Sequence, residues 1–221
     1  MNTEIGVKIT EQKDNVAVKA SVDEPLDLGI LLELGSIGAG HAATSLSDVL
    51  QQPITIDVPK IHNIEAHLIP QFYNLHDVPT TAIYLQLSEK YGCDILLMFE
   101  YSEAKKIAAM MTMVSSVEEL DPAMETSALQ ELANILIGSF LTSISDFVGV
   151  SLLPTTPITV TDTFDAIIDN FLIKQSMTSD GYAMIFETRF KRNGEDAKSS
   201  LMIFPTKELK QLLVEKSKVM V

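Results

Sequence analysis

Apolar and polar positions change period along this chain in an order that occurs twice. Over residues 27–50, apolar positions Leu31, Leu34, Ile37, Leu46 and Leu50 keep a helical period, while Glu33 and Ser36 point elsewhere. Gly35, Gly38 and Gly40 make this a poor isolated helix. With Ala39, Ala42 and Ala43 they permit close approach of another backbone, and Gln52-Pro53 ends the helix. Residues 54–58 alternate as a short strand, followed by Pro59. Residues 60–79, with two prolines and three of the four histidines, read as an irregular connection. Residues 81–87 and 94–100 read as strands around a polar turn at Lys90-Tyr91-Gly92. Residues 102–113 read as a helix capped by Ser102.

The second half repeats the order. Residues 124–148 form a long helical pattern opened by Glu125-Thr126-Ser127, whose anionic and hydroxyl groups suit exposed N–H groups. A short strand at 158–160, an irregular segment at 163–175, strands at 182–190 and 198–204 around Arg192-Asn193-Gly194-Glu195, and a helix at 206–219 complete it. The repetition is also literal. With the copies 98 positions apart (33 to 131), Glu33 falls on Glu131, Gly40 on Gly138, Thr44 on Thr142, Ser47 on Ser145, Asp48 on Asp146 and Pro59 on Pro157. Ser36 falls on Asn134, and there the copies part. The pattern predicts a pseudo-two-fold α/β domain over residues 25–221, made of half-repeats at about 25–118 and 119–221. Residues 1–24 are a polar, weakly patterned leader.

Composition narrows the function classes. The 46% hydrophobic content suffices for a substantial core. No apolar run reads as a membrane span and the N-terminus lacks a signal-peptide layout, so the chain reads as cytoplasmic, with no membrane insertion. Net charge is −14, and Lys/Arg occur only in short pairs such as Lys105-Lys106. That excludes nucleic acid as a partner, because phosphate binding needs a basic footprint. The single cysteine, Cys93, cannot close an internal disulfide and reads as a small buried hydrophobe. His62, His67 and His76 lack a recognisable ligand spacing, so no metal site is expected. Gly35-Ser36-Ile37-Gly38-Ala39-Gly40 lacks the lysine of a phosphate-binding loop. Met110, Met111 and Met113 read as core filling.

Candidate chemistry lies on the second long helix. At about 100° per residue, Ser127, Glu131, Asn134, Gly138 and Ser145 share one sector, with Gln130 and Thr142 at its edges. Leu129, Leu132, Ile135, Leu136 and Phe140 occupy other sectors. Glu131 is an anion that can pair with a partner's cation. Asn134, nearly one turn later, offers two donors and an acceptor without charge. An amide is a poor base at neutral pH but can hold a water in line for attack, a role suited to phosphoryl transfer. Gly138 leaves a shallow gap where something can approach the backbone.

Through Ser127, Glu131, Asn134 and Pro157 the second copy matches Asp/Ser-x3-Glu-x2-Asn-x22-Pro. This resembles the CheC/CheX/FliY family of chemotaxis phosphatases, and the doubled layout suits the CheC form with its two motif-bearing helices packed on a β-sheet. The resemblance implies hydrolysis of the aspartyl phosphate of the response regulator CheY. Glu131 would engage a lysine of the regulator and Asn134 would orient the water, with Ser127 and Pro157 in support. It also implies that the regulator, not this chain, holds magnesium, so no cofactor is expected here. The first copy departs from the motif with Gly29, Glu33, Ser36 and Pro59. A serine is shorter than the amide and can turn back to a helix carbonyl. The first site is therefore expected to be weak or dead, or a docking face. The alternative is an adaptor that binds phosphorylated CheY or the receptor deamidase CheD with catalysis vestigial.

Overall fold

Asp27 and Asp121 mark the two helix starts that organise the molecule. Asp27 Oδ1 accepts from the backbone N–H groups of Gly29 (2.8 Å) and Ile30 (3.3 Å). Asp121 Oδ1 does the same for Ala123 (2.8 Å) and Met124 (3.0 Å). Each carboxylate satisfies donors that a helix start leaves open. The helices are α1, Leu28–Leu50, and α4, Pro122–Val148. A computed structural model describes residues 27–87, 90–175, 181–192 and 194–218, with the backbone alone at 59, 174, 175 and 195. The expected leader at 1–24 lies outside the described residues.

After α1 come β1 (Thr55–Glu65), a 3-10 turn, α2 (Ile69–Tyr73), β2 (Pro79–Leu87), β3 (Cys93–Glu100) and α3 (Tyr101–Thr112). After α4 come β4 (Ile158–Thr163), α5 (Phe164–Gln175), β5 (Tyr182–Arg192), β6 (Glu195–Pro205) and α6 (Lys207–Ser217). The six strands form one antiparallel sheet in the order β1-β5-β6-β3-β2-β4. Exchanging β1 with β4, β2 with β5 and β3 with β6 turns that order into its own reverse, as a pseudo-two-fold requires. The first strand of each half pairs with the hairpin of the other half, so the halves interlock.

The sheet is covered on both faces. Ile95, Leu97 and Phe99 of β3 face the cluster that holds α1, α3, α4 and α6. Leu96 and Met98 face the opposite cluster, with Ile69 of α2 and Phe164, Ile167, Ile168 and Phe171 of α5. The period of two along β3 thus feeds two cores. The glycines of α1 pack as the sequence implies at two positions. A Cβ at Gly35 would meet the Phe186 ring at 2.9 Å, and one at Gly38 would meet the Phe140 Cα at 2.8 Å. Phe140 and Phe186 meet edge-on, with centroids 5.4 Å apart, beneath this crossing. Gly38 therefore sets how closely α1 lies on α4.

Several expectations need correction. The strand expected at 54–58 runs on to Glu65, because a register shift between Asp57 and Lys60 absorbs Pro59. The segments read as irregular at 60–79 and 163–175 contain the end of β1 and helices α2 and α5. Ser102 does not cap α3: Glu100 holds the cap position, and Ser102 Oγ donates to Glu100 Oε1 at 3.2 Å. The cap of α4 is Asp121, ahead of the expected opening at Glu125. Ile37, assigned to the core face, is 43% exposed. Contrary to the sequence reading, an 18-residue window of α4 is long and apolar enough to cross a membrane by length and composition. Half of that window is buried within the fold, where Leu129, Leu132, Leu136 and Phe140 serve the core.

Candidate functional site

The polar stripe expected on α4 is present on its outer face. Ser127, Glu131 and Asn134 are exposed, Gly138 and Ser145 are half-buried, and the intervening Leu132, Ala133, Leu136 and Ile137 are buried. Core packing on three sides holds the helix while the stripe faces outward. Neither the Glu131 carboxylate nor the Asn134 carboxamide is held by an ion pair or hydrogen bond among the described residues. Their Cα atoms are separated by about 4.5 Å of helix rise. The pair therefore presents one charge and one neutral donor–acceptor group to an incoming surface.

Pro157 is buried immediately ahead of β4, and its carbonyl accepts from Gln130 Nε2 at 3.3 Å. That bond ties the approach to β4 to the turn of α4 carrying Glu131. It brings the distant proline of the motif against the helix. Ser145 works at the far end of the stripe: its Oγ accepts from Leu152 N–H at 3.1 Å. It is thus a structural clamp and not part of the reactive surface.

Beside Glu131 lies a cleft of about 480 Å³ between the ends of α1, α3 and α4. Val49, Met111, Met124 and Ala128 supply apolar wall, and Ser127 and Glu131 stand with them. Sequence reasoning missed this feature. Met110 and Met111 pack against the core as expected, and Met111 also lines this cleft with Met124; Met113, expected as core filling, is instead 63% exposed. Period alone does not reveal a cleft formed where three helices end. Asp121-Pro122, by contrast, was a readable helix start: a capping carboxylate followed by proline at the first helical position.

The first copy differs in detail. Glu33 is exposed and is not ion-paired among the described residues. Ser36 Oγ donates to Leu32 O at 2.8 Å, so its hydroxyl proton is committed to its own helix. Gly29, which takes the place of Ser127, lies at the N-terminus of α1, where its N–H donates to the Asp27 cap. Pro59 stands inside β1, whereas Pro157 precedes β4, so the two prolines have different settings. Ser47 matches Ser145 closely, with its Oγ accepting from Ile54 N–H at 2.9 Å. Structural parts of the repeat are retained, and parts of the polar site have diverged.

The remaining candidates separate cleanly. His62, His67 and His76 do not converge: they face Glu187 (3.0 Å), Glu65 (3.4 Å) and Asp165 (3.2 Å) respectively. Among the described residues no three His, Cys, Asp or Glu side chains come together as a metal-binding group. His41 is exposed on α1. Cys93 is buried, and burial pushes its thiol pKa well up, away from the reactive thiolate.

Residues 124–161 match the CheC-like family, a span that includes Ser127, Glu131, Asn134 and Pro157. The chain is 28% identical over 188 residues to the CheY-P phosphatase CheC of Bacillus subtilis (strain 168), covering 83% of this chain and 88% of that protein. It is 33% identical over 116 residues to the flagellar motor switch phosphatase FliY of the same organism, covering 51% of this chain and 30% of FliY. Its fold matches the crystal structure of Thermotoga maritima FliY with a TM-score of 0.70 at 23% identity, covering 89% of this chain and 98% of that one. Matched segment, relatives and fold agree in their likeness: the chain is similar to CheC-like proteins in sequence and to FliY in fold.

Proposed function

We propose that the chain hydrolyses the aspartyl phosphate of a CheY-type response regulator, using one competent Glu–Asn pair on α4. The observation that carries this reading is the exposed, uncommitted pair Glu131 and Asn134 on a helix braced by the core. Similarity to relatives named as a CheY-P phosphatase and a flagellar motor switch phosphatase supports the substrate class.

Glu131 docks the regulator by pairing with a lysine on it. Asn134 uses its carbonyl oxygen and amide N–H groups to fix a water in line with the phosphorus. The water oxygen bonds to phosphorus as the bond from phosphorus to the aspartate oxygen breaks. Inorganic phosphate and free aspartate result, and the water's proton leaves with phosphate or solvent. Magnesium, expected on the regulator and not on this chain, would neutralise charge on the phosphoryl oxygens. This chain contributes position, and Ser127 and Pro157 support the turn that carries Glu131. The reaction takes place in the cytoplasm.

One observation favours a second reading: the Ser36 hydroxyl donates to its own helix, as suits a copy of the motif that no longer aligns water. In that reading the chain is an adaptor that binds phosphorylated CheY, CheD or both without turnover. The two are separated by mixing the chain with phosphorylated regulator and following bound complex and released phosphate together. Accelerated release supports the phosphatase. Stable binding with the regulator's own slow release supports the adaptor and overturns the enzyme.

A further inference from the structure

Among the described residues, nothing explains why Gly138 is a glycine. Glycine weakens a helix interior relative to alanine, so its presence in the middle of a 27-residue helix needs a cause. Three intramolecular causes are testable on the structure. Close packing is one, and it accounts for Gly35 and Gly38, where an added Cβ would collide with Phe186 and Phe140. At Gly138 an added Cβ would meet no atom of the described residues within 4 Å. Left-handed backbone is another, but the positive-φ glycines among the described residues are Gly149, Gly181 and Gly194. The third is access to the carbonyl. Gly138 O accepts from Thr142 Oγ1 at 2.8 Å, a bond that threonine makes equally to Ala108 O from Thr112 at 2.8 Å. None of these requires the missing methyl.

The first copy repeats the observation. Gly40, at the equivalent place on α1, also has open space where its Cβ would stand, and its carbonyl accepts from Thr44 Oγ1 at 3.0 Å. Two helices that differ at Asn134 and Ser36 agree in leaving this position bare, one turn beyond the motif. We propose that Gly138 is a clearance position that lets the docked regulator close onto the α4 backbone, so that Asn134 reaches the phosphoryl group. The inference rests on the phosphatase reading and adds where the partner touches: over the two turns from Asn134 to Thr142, at backbone distance.

The geometry sets the size of the effect. A Cβ extends about 1.5 Å from Cα and would hold the partner away by a comparable distance. Productive water alignment needs heavy-atom separations of about 2.6–3.2 Å, and displacement by about 1 Å can cost about 100-fold in rate. Gly138 is thus a positioning residue that acts through Asn134.

The test uses the full chain, a CheY-type receiver phosphorylated with acetyl phosphate, and the variants Gly138→Ala, Gly138→Ser and Asn134→Ala. Phosphate release gives kcat and KM, and thermal melting reports the fold. The expected result is a fall of about 100-fold in kcat/KM for Gly138→Ala, at least as large for Gly138→Ser, with Tm unchanged or raised for Gly138→Ala. Wild-type turnover in Gly138→Ala, with Asn134→Ala inactive, overturns the clearance role and leaves the phosphatase intact. A lowered Tm in Gly138→Ala assigns the glycine an internal role and also overturns it. If wild-type chain accelerates nothing, the phosphatase reading fails and Gly138's role fails with it.

Discussion

α1 and α4 descend from one pattern and now differ in what their outer faces can do. Both begin at an aspartate cap, both carry an exposed glutamate, and both anchor the following segment through a serine, Ser47 or Ser145. On α4 the residue after the glutamate by three is an uncommitted amide. On α1 it is a serine whose hydroxyl bonds its own helix. The core-facing sides also specialised: α1 supplies glycines at the crossing, and α4 supplies Phe140 to fill it. The copies have diverged on both sides, at the helix crossing and at the position of the amide. A helix can lose its reactive group at no cost to the fold, because that group never joined the core.

That contrast can be broken at its strongest point first. Asn134→Ala is expected to lower the acceleration of regulator dephosphorylation by about 100- to 1000-fold, the size found when one oriented hydrogen-bonding group is removed from a reacting centre. Its circular dichroism and Tm should match wild type, since the side chain is exposed. A loss of Tm of several degrees would show that Asn134 serves the fold.

Gly38→Ala probes the other side of the comparison. The new methyl meets the Phe140 backbone, and overpacking of this kind costs about 1–3 kcal/mol. At about 2–4 °C per kcal/mol for a chain of this size, thermal melting should show a clear drop. Gly40→Ala should instead hold or raise Tm, because its Cβ enters open space. Equal melting of the two variants would contradict the close crossing of α1 and α4.

Ser36→Asn asks whether the first copy lacks only its amide. Turnover per chain should rise, approaching twofold if the restored site equals the second. An unchanged rate would locate a further defect, for which Gly29 at the helix start and Pro59 inside β1 are the visible differences. The smallest effect is expected at the helix ends. Gln51 closes α1 in the left-handed region at φ 51°, where α4 uses Gly149 at φ 74°. Gln51→Gly should raise stability slightly, by up to about 1 kcal/mol, read by denaturant titration. A loss of similar size would mean that the Gln51 amide bond to Asp48 O outweighs backbone strain.

Much of this comparison was legible in the sequence for a physical reason. The long helices, the two hairpins and the Glu–Asn pair rest on local periodicity and on an offset that holds across both halves. The back-bonding of Ser36 follows from serine chemistry inside any helix. Proline misled the strand assignment, because a strand normally stops where a donor is lost, and only the bulge after Asp57 carries β1 past Pro59. Helix α5 was readable but missed: Phe164, Ile167, Ile168 and Phe171 keep a helical spacing. Helix α2 spans only Ile69–Tyr73 and gives too short a window for a period. The exchange of edge strands between halves, and the cleft lined by Met111 and Met124, depend on contacts between distant segments. Local pattern carries no information about either.

The central claim, one competent site on α4, is tested most directly by phosphate release from a phosphorylated CheY of the same organism. Wild type, Asn134→Ala and Ser36→Ala are compared under identical conditions. The account predicts acceleration by wild type, its loss in Asn134→Ala and little change in Ser36→Ala. Acceleration that survives Asn134→Ala, or that Ser36→Ala removes, would contradict it.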